Sequence, residues 1–536
     1  MGNQHMKKLI IFIQILGLLF KLQAQENKKP NILFIMSDDH TSQAFGIYGS
    51  RLAHLNPTPN IDALANQGII FDNVFCNNSI CTPSRASILS GQYPQTNGVL
   101  DLHQALDKEK QFLPKDLKAL GYETAVIGKW HLKEEPANFD YYEVLPLQGK
   151  YFNPKLISRD GKTSEEISFG KHGKRTVKTT KYEGHSSDIV TDRSIEWLKN
   201  KRDKSKPFML MHHFKAPHGM FEFAPRYADY LEDTYIPEPA SLYQSGNHGS
   251  EGTRGKNDSL IHDIGSSVGL RNTIRGVGRS LEVDTESPNH KHEAYQEYLK
   301  RYLRCVKGVD DNVKRLIDQL KAEGLYENTI IIYTADQGFM LGEHDYIDKR
   351  WMYEESMRMP FIIHYPKGFR QGTRNNTLIN NTDFAPTLID LAGGNTPKYM
   401  QGRSFKSIIE TGKEPDNWRQ STYYRYWMHM GSRHANPAHF GIRTKDYKLI
   451  FYYGRYYKTD TKSDNWGRYD FNTPVAWEFY DLKKDPNEMQ NEYHNAKYKN
   501  LISKLKKDLK QKRKDLNEED DNYPHIQKII NQHWHD

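Results

Sequence analysis

Cysteine is scarce: the 536 residues contain only Cys76, Cys81 and Cys305. Three thiols over this length provide no disulfide framework, and whether Cys76 and Cys305 meet stays open at this level. The chain also lacks a C-x-x-C pair, zinc-ligand spacing and a glycine-rich nucleotide loop, so sites of those kinds are not expected. A large excess of one charge is missing too. There are 75 Lys and Arg against 67 Asp and Glu, a net +8, and much of the surplus lies in Lys497 to Lys514, which reads as a solvated helix face. That balance is a weak pull on an anionic substrate, and no nucleic-acid partner is expected. Beyond residue 24 no apolar run is long enough to span a bilayer, so no stable membrane insertion is expected.

The first residues do carry a signal. Lys7-Lys8 precede an apolar stretch from Leu9 to Phe20, and Leu22-Gln23-Ala24 is an acceptable cleavage site before Gln25. Residues 1–24 therefore read as a secretory signal peptide. No cysteine follows the apolar stretch, which argues against a lipoprotein anchor. The mature chain is expected to be periplasmic or secreted.

Short apolar runs alternate with helical patterns, the signature of an α/β sheet. Four runs read as strands that end in polar clusters. Asn31 to Ser37 leads into Asp38-Asp39-His40, and Thr124 to Ile127 leads into Gly128-Lys129-Trp130-His131. Pro207 to Met211 leads to Lys215-Ala216-Pro217-His218, and Thr329 to Thr334 leads into Ala335-Asp336-Gln337-Gly338. Open α/β sheets bind ligands beyond the carboxyl ends of their strands, so these clusters point to one edge. Helices are expected from Thr58-Pro59 to Gly68 and from Asp383 to Gly393. The stretches 153–187 and 244–292 have weak periodicity and read as long surface insertions, either loops or a lid. After residue 410 short aromatic strands appear, then a helix carrying Ile502, Leu505 and Leu509. The expected division is 25–410 for an α/β catalytic domain and 411–536 for a smaller C-terminal subdomain and tail.

Cys81 opens Cys81-Thr82-Pro83-Ser84-Arg85, with Gly91 as the stop. Pro83 suits a first helical turn, which places Cys81 where backbone N–H groups and the helix dipole favour an anion. Arg85 lies one turn along on the same face. Asp38, Asp39, Asp336 and Gln337 are hard oxygen donors from two strand ends, the ligand type calcium takes.

Together these residues resemble the type I sulfatase family, in which the Cys of Cys-x-Pro-Ser-Arg is oxidised to formylglycine. The likeness runs from Asn31 to about Asn491 and includes Asp38-Asp39, Gly128-Lys129-Trp130-His131, Pro217-His218, Thr334-Ala335-Asp336-Gln337-Gly338 and Lys349. It implies an alkaline-phosphatase-like α/β sandwich with a largely parallel sheet, plus a C-terminal subdomain with an antiparallel sheet and a terminal helix. It implies a sulfuric ester hydrolase using formylglycine from Cys81 and Ca2+ held by Asp38, Asp39, Asp336, Gln337 and residue 81. By the same likeness, one hydroxyl of the formylglycine hydrate attacks sulfur, Arg85 and Lys129 stabilise it, His218 and Lys349 serve the leaving oxygen, and His131 deprotonates the second hydroxyl. A formylglycine-generating or anaerobic sulfatase-maturating enzyme is the implied partner in maturation. Departures are small: Ser90-Gly91-Gln92 stands where Thr-Gly-Arg is frequent, and Gln337 replaces the commoner Asn.

The expected substrate is a sulfated carbohydrate, an algal polysaccharide or a glycosaminoglycan or mucin-type glycan, with Lys215, His439 and Arg443 as substrate-binding residues. The competing readings are a phosphodiesterase or phosphonate monoester hydrolase of the same superfamily, and a glycan-binding protein whose Cys81 is never oxidised.

Overall fold

The computed structural model describes residues 29–243, 249–255, 283–284, 286–431, 434–459 and 467–536. The expected signal segment 1–24 lies outside them. Every residue of the strand Asn31–Ser37 is buried. Its side chains alternate between two cores, with Ile32, Phe34 and Met36 in one and Leu33 and Ile35 in the other. A strand covered on both faces has no polar side, which is why this run is continuously apolar.

Asn31–Ser37 lies in the middle of an 11-stranded sheet. Thr329–Ala335 and Phe208–His213 flank it in parallel. Glu123–Lys129 and Tyr141–Leu145 continue the parallel order beyond Phe208–His213. On the opposite side Phe361–His364 turns antiparallel, followed by Ile69–Phe71 and Thr373–Asn375. Helices cover both faces. His290–Ala322, 33 residues long, lays Leu299, Leu303, Val306, Val313 and Leu320 onto the core of Leu33 and Ile35. Each such side chain contributes about 1.5–3 kcal/mol by burial, so packing more than propensity holds this helix. Pro59–Asn66 covers the same face through Ile61 and Leu64. Cys81–Ser90 and Phe384–Leu391 pack on the other.

Two expectations need revision. Residues 153–187 are not a loop or lid: Lys155–Ile157, Thr163–Ser168 and Lys174–Lys181 add three antiparallel strands to the sheet. They form an edge with largely exposed side chains, so Lys, Thr and Glu replace the apolar residues that usually betray a strand. Second, the helix Lys406–Thr411 runs across the expected boundary at 410. Most of 244–292 falls outside the described residues.

The C-terminal sheet has four antiparallel strands in chain order, Ser421–Tyr426, His439–Thr444, Tyr447–Tyr452 and Ala476–Asp481. The helix Lys499–Asp515 closes it with Ile502, Leu505 and Leu509, in one core with Phe440, Phe451 and Phe479. Cys76, Cys81 and Cys305 are all free and buried. No helix among the described residues is long and apolar enough to cross a membrane.

Candidate active site

The parallel register sets the centre of the site. Ser37 pairs with Ala335, so Asp38 and Asp336 leave adjacent strand ends side by side. Asp39 follows in a left-handed turn (φ 67°), and its N–H donates to Asp336 Oδ1 at 3.2 Å. Carboxylate oxygens of Asp38, Asp39 and Asp336 all lie within 4.8 Å of one another. Burial, with the nearby Asp336 and Asp348 carboxylates and against Lys349, pushes the Asp39 carboxyl up to about 6. Gln337 Nε2 donates to Asp39, while its buried Oε1 has no hydrogen-bond partner. Three crowded carboxylates and an unpartnered amide oxygen form a donor set of the kind Ca2+ takes.

Cys81 is the first residue of the helix Cys81–Ser90 and is 1% exposed. Ile80 before it is extended and caps nothing with its side chain. Gly91 ends the helix at φ 67°, a left-handed stop open to glycine. Cys81 Sγ donates to Asp38 Oδ1 at 3.2 Å and lies 3.3 Å from Lys349 Nζ and 4.0 Å from Lys129 Nζ. Burial pushes the thiol up to about 12, against Lys349 and with help from Asp336 and Asp39. An unmodified thiol here stays protonated and is a poor nucleophile.

Cations surround this point. Arg85 Nε donates to Asp336 Oδ2 at 2.9 Å and its Nη1 to the Lys129 carbonyl at 2.8 Å, while buried Nη2 has no partner. Lys129 Nζ donates to Asp38 and to Gln148 Oε1, the latter at 2.6 Å. Lys349 Nζ donates to both oxygens of Asp39. Burial and the charges of Lys129 and Arg85 hold His131 well below the usual imidazole value, so it is neutral and able to take a proton. His218 Nδ1 pairs with the Gly219 carbonyl at 2.6 Å, which leaves Nε2 for a substrate. Burial, then Lys129, Lys349 and Lys215, lowers His218 well below the usual value as well. An anionic substrate would offset those cations and favour the protonated ring. Lys215 lies 4.7 Å from the Tyr151 ring centroid, and burial lowers it to about 8.

A family model described as Sulfatase matches residues 30–394, and one described as N-sulphoglucosamine sulphohydrolase, C-terminal, matches 342–515. The chain belongs to the sulfatase family. It is 37% identical, over 93% of its length and 88% of the relative, to a Bacteroides thetaiotaomicron protein named N-acetylglucosamine-6-O-sulfatase. A solved structure described as a complex with its substrate D-glucosamine-2-N,6-O-disulfate matches with a TM-score of 0.79 and 35% identity, covering 92% of this chain and 99% of that one. A phosphonate monoester hydrolase from Silicibacter pomeroyi matches with a TM-score of 0.65 over 90% of this chain and 95% of its own, but at 19% identity this shows the fold alone. The protein is accordingly a sulfuric ester hydrolase.

Asp38, Asp39, Cys81, Arg85, Lys129, His131, Lys215, His218, Asp336, Gln337 and Lys349 gather in this one region of the sulfatase. His439 and Arg443 do not join them as ligand-facing groups. His439 is fully buried, stacked with Tyr424 and Trp351, and its Nδ1 pairs with the Pro437 carbonyl at 2.8 Å. Arg443 pairs with both oxygens of Glu354 at 3.1 and 3.0 Å and stacks on Phe75 at 4.4 Å. Positions 439 and 443 share one face of a strand, and that face is pressed against the α/β body.

Other residues near this centre lie outside the motifs read above. Gln148 reaches Lys129 from the loop after Tyr141–Leu145. Arg350, 3% exposed and next to Lys349, pairs with Asp348 at 3.0 Å and leaves Nη1 buried without a partner. His434 Nδ1 lies 3.1 Å from the same carboxylate. The Lys349-Arg350 pair was visible as basic residues, but nothing local joins 348 to 434.

Proposed function

We propose that this sulfatase hydrolyses a sulfate ester of a carbohydrate, a sulfated glucosamine unit being the leading candidate, after Cys81 is converted to formylglycine and with Ca2+ bound by Asp38, Asp39, Asp336 and Gln337. The observation that carries the reading is the convergence of Cys81, three carboxylates and the ammonium groups of Lys129 and Lys349 on one buried point. The relatives' names supply the sugar: one is named an N-acetylglucosamine-6-O-sulfatase, and another was solved with a disulfated glucosamine.

When present, formylglycine hydrate supplies a nucleophile for sulfur and a second hydroxyl for release of sulfate, and Ca2+ supplies positive charge against the ester oxygens. The chain's own groups do the rest. Arg85, Lys129 and Lys349 orient and neutralise negative charge around position 81. His218 Nε2 carries the proton to the departing sugar oxygen, with Lys349 beside it. His131 takes a proton from the position-81 side chain. Arg350 and His434, which share the Asp348 carboxylate, are further candidates for contact with sugar hydroxyls in this reading.

Sγ of Cys81 is almost wholly enclosed, so a formylglycine-generating or anaerobic sulfatase-maturating enzyme must act before the fold closes. Export through residues 1–24 would put the mature enzyme in the periplasm or outside the cell, with the catalytic domain running from 25 to the end of the helix Lys406–Thr411 and the C-terminal subdomain after it. Mass spectrometry of the peptide holding position 81, followed by sulfate-release assays on sulfated saccharides, phosphodiesters and phosphonate monoesters, tests the reading. An intact thiol in active protein, or turnover of phosphonate monoesters well above sulfate esters, would overturn it.

A further inference from the structure

A cavity of about 350 Å3 lies beside the catalytic cluster, within the range of about 300–1,000 Å3 common for small-ligand sites. His131 forms part of its wall. Leu145, Pro146 and Leu147 form another part, and the next residue, Gln148, accepts a hydrogen bond from Lys129 at 2.6 Å. The cavity and the reaction centre therefore share one side chain and one loop. The far wall comes from the three-stranded edge, through Ile157, Arg175 and Lys178, with Phe169 between strands.

The lining combines apolar and aromatic surface with a cationic surplus, five Lys or Arg side chains against two carboxylates. Arg175 lies over the Phe169 ring at 5.1 Å while pairing with Glu134 at 2.6 Å. Lys178 is exposed and makes no ion pair among the described residues. His131, Lys133 and Leu147 all hold left-handed backbone, at φ 55°, 60° and 51°. That conformation is unfavourable for residues with a side chain and gathers at ligand sites. An aromatic face suits the C–H side of a sugar ring, and the Lys178 ammonium suits a sulfate or carboxylate on it, whereas Lys108 and Arg175 are already paired with Glu134 and Arg159 donates to the Phe139 and Asp140 carbonyls.

We propose that this cavity is a second saccharide subsite, taking the anionic sugar unit next to the one whose sulfate ester is cleaved. The inference rests on the carbohydrate reading above.

The test compares N-acetylglucosamine 6-sulfate with fully 6-O-sulfated chitotetraose. The wild-type enzyme should show a KM about tenfold lower for the tetrasaccharide, the scale of one well-formed extra contact patch. Lys178→Glu and Phe169→Ala should each remove most of that advantage and leave the monosaccharide within about twofold of wild type. Lys178 is at the surface, so its replacement does not threaten folding, and melting temperatures check Phe169→Ala. In a Cys81→Ala background, which cannot turn over, calorimetry should show the same loss of tetrasaccharide affinity. Equal KM values for the two sugars in wild type, or parallel losses on both in the variants, would overturn the subsite alone. Hydrolysis of nitrophenyl sulfate with neither sugar accepted would overturn the carbohydrate reading and the subsite with it.

Discussion

Replacing Arg443 by Met separates a structural from a substrate-binding role. The guanidinium and the Glu354 carboxylate are 4% and 7% exposed, and they share two hydrogen bonds. Removing one partner of a buried ion pair costs about 3–5 kcal/mol when the other charge is left alone. Glu354 would not be alone, because Lys448 Nζ lies 3.0 Å and Arg358 Nη2 2.5 Å away. Met also keeps the apolar stem that covers Phe75. The loss should therefore be about 2–3 kcal/mol, below the full value for an orphaned charge. For a chain of this size, unfolding with an entropy of about 1.1 kcal/mol/K, that corresponds to a melting temperature lower by about 2–3 °C at a fixed scan rate. The kcat/KM for a sulfated saccharide should stay within about twofold, since the pair faces the body of the protein. Adding Glu354→Gln should cost less than the two single changes summed, because no buried carboxylate then remains to be balanced. An unchanged melting temperature with a tenfold higher KM would refute this assignment and return Arg443 to the substrate.

Three other outcomes follow from the geometry. His218→Ala should reduce hydrolysis of a sulfated saccharide by about 10²–10⁴, and that of nitrophenyl sulfate much less, because only the sugar alkoxide needs a proton to leave; equal losses in kcat/KM would make His218 a binding group. Chelation of Ca2+ should lower the melting temperature and calcium should restore it, with Asp39→Asn blunting the response; a melting curve indifferent to both would remove the metal from the site. Glu355 is pushed from 4.5 up to about 8 by burial and the Glu343 and Glu488 carboxylates. Its folded-state pKa is raised, so its contribution to stability is complete below about 4.5 and is lost as pH rises through about 8. Glu355→Gln should therefore melt like wild type near pH 5 and above it near pH 9, and a difference independent of pH would exclude this cause.

The sequence by itself determined the chemistry-bearing segments, because each is specified locally. Pro83 and Gly91 bound a helix that must start near Cys81. The apolar runs before Asp38, Lys129 and Asp336 must be strands, since nothing else buries them on both sides, and a parallel sheet sends polar residues at its strand ends to one edge. Family resemblance then assigned roles to those positions. Other features depend on contacts between distant segments and left no local mark. Register alone sets Asp38 beside Asp336. His439 and Arg443 looked like recognition residues because a strand's pattern does not say which protein surface will cover it. The three strands between 155 and 181 were hidden because an edge strand is stabilised by its ladder and keeps a polar face to water. Gln148 meets Lys129, and Asp348 meets His434, only after the chain has folded around them. The residues proposed for catalysis could be read one by one, while the surroundings that tune them are long-range burial and charge, which only the tertiary structure creates.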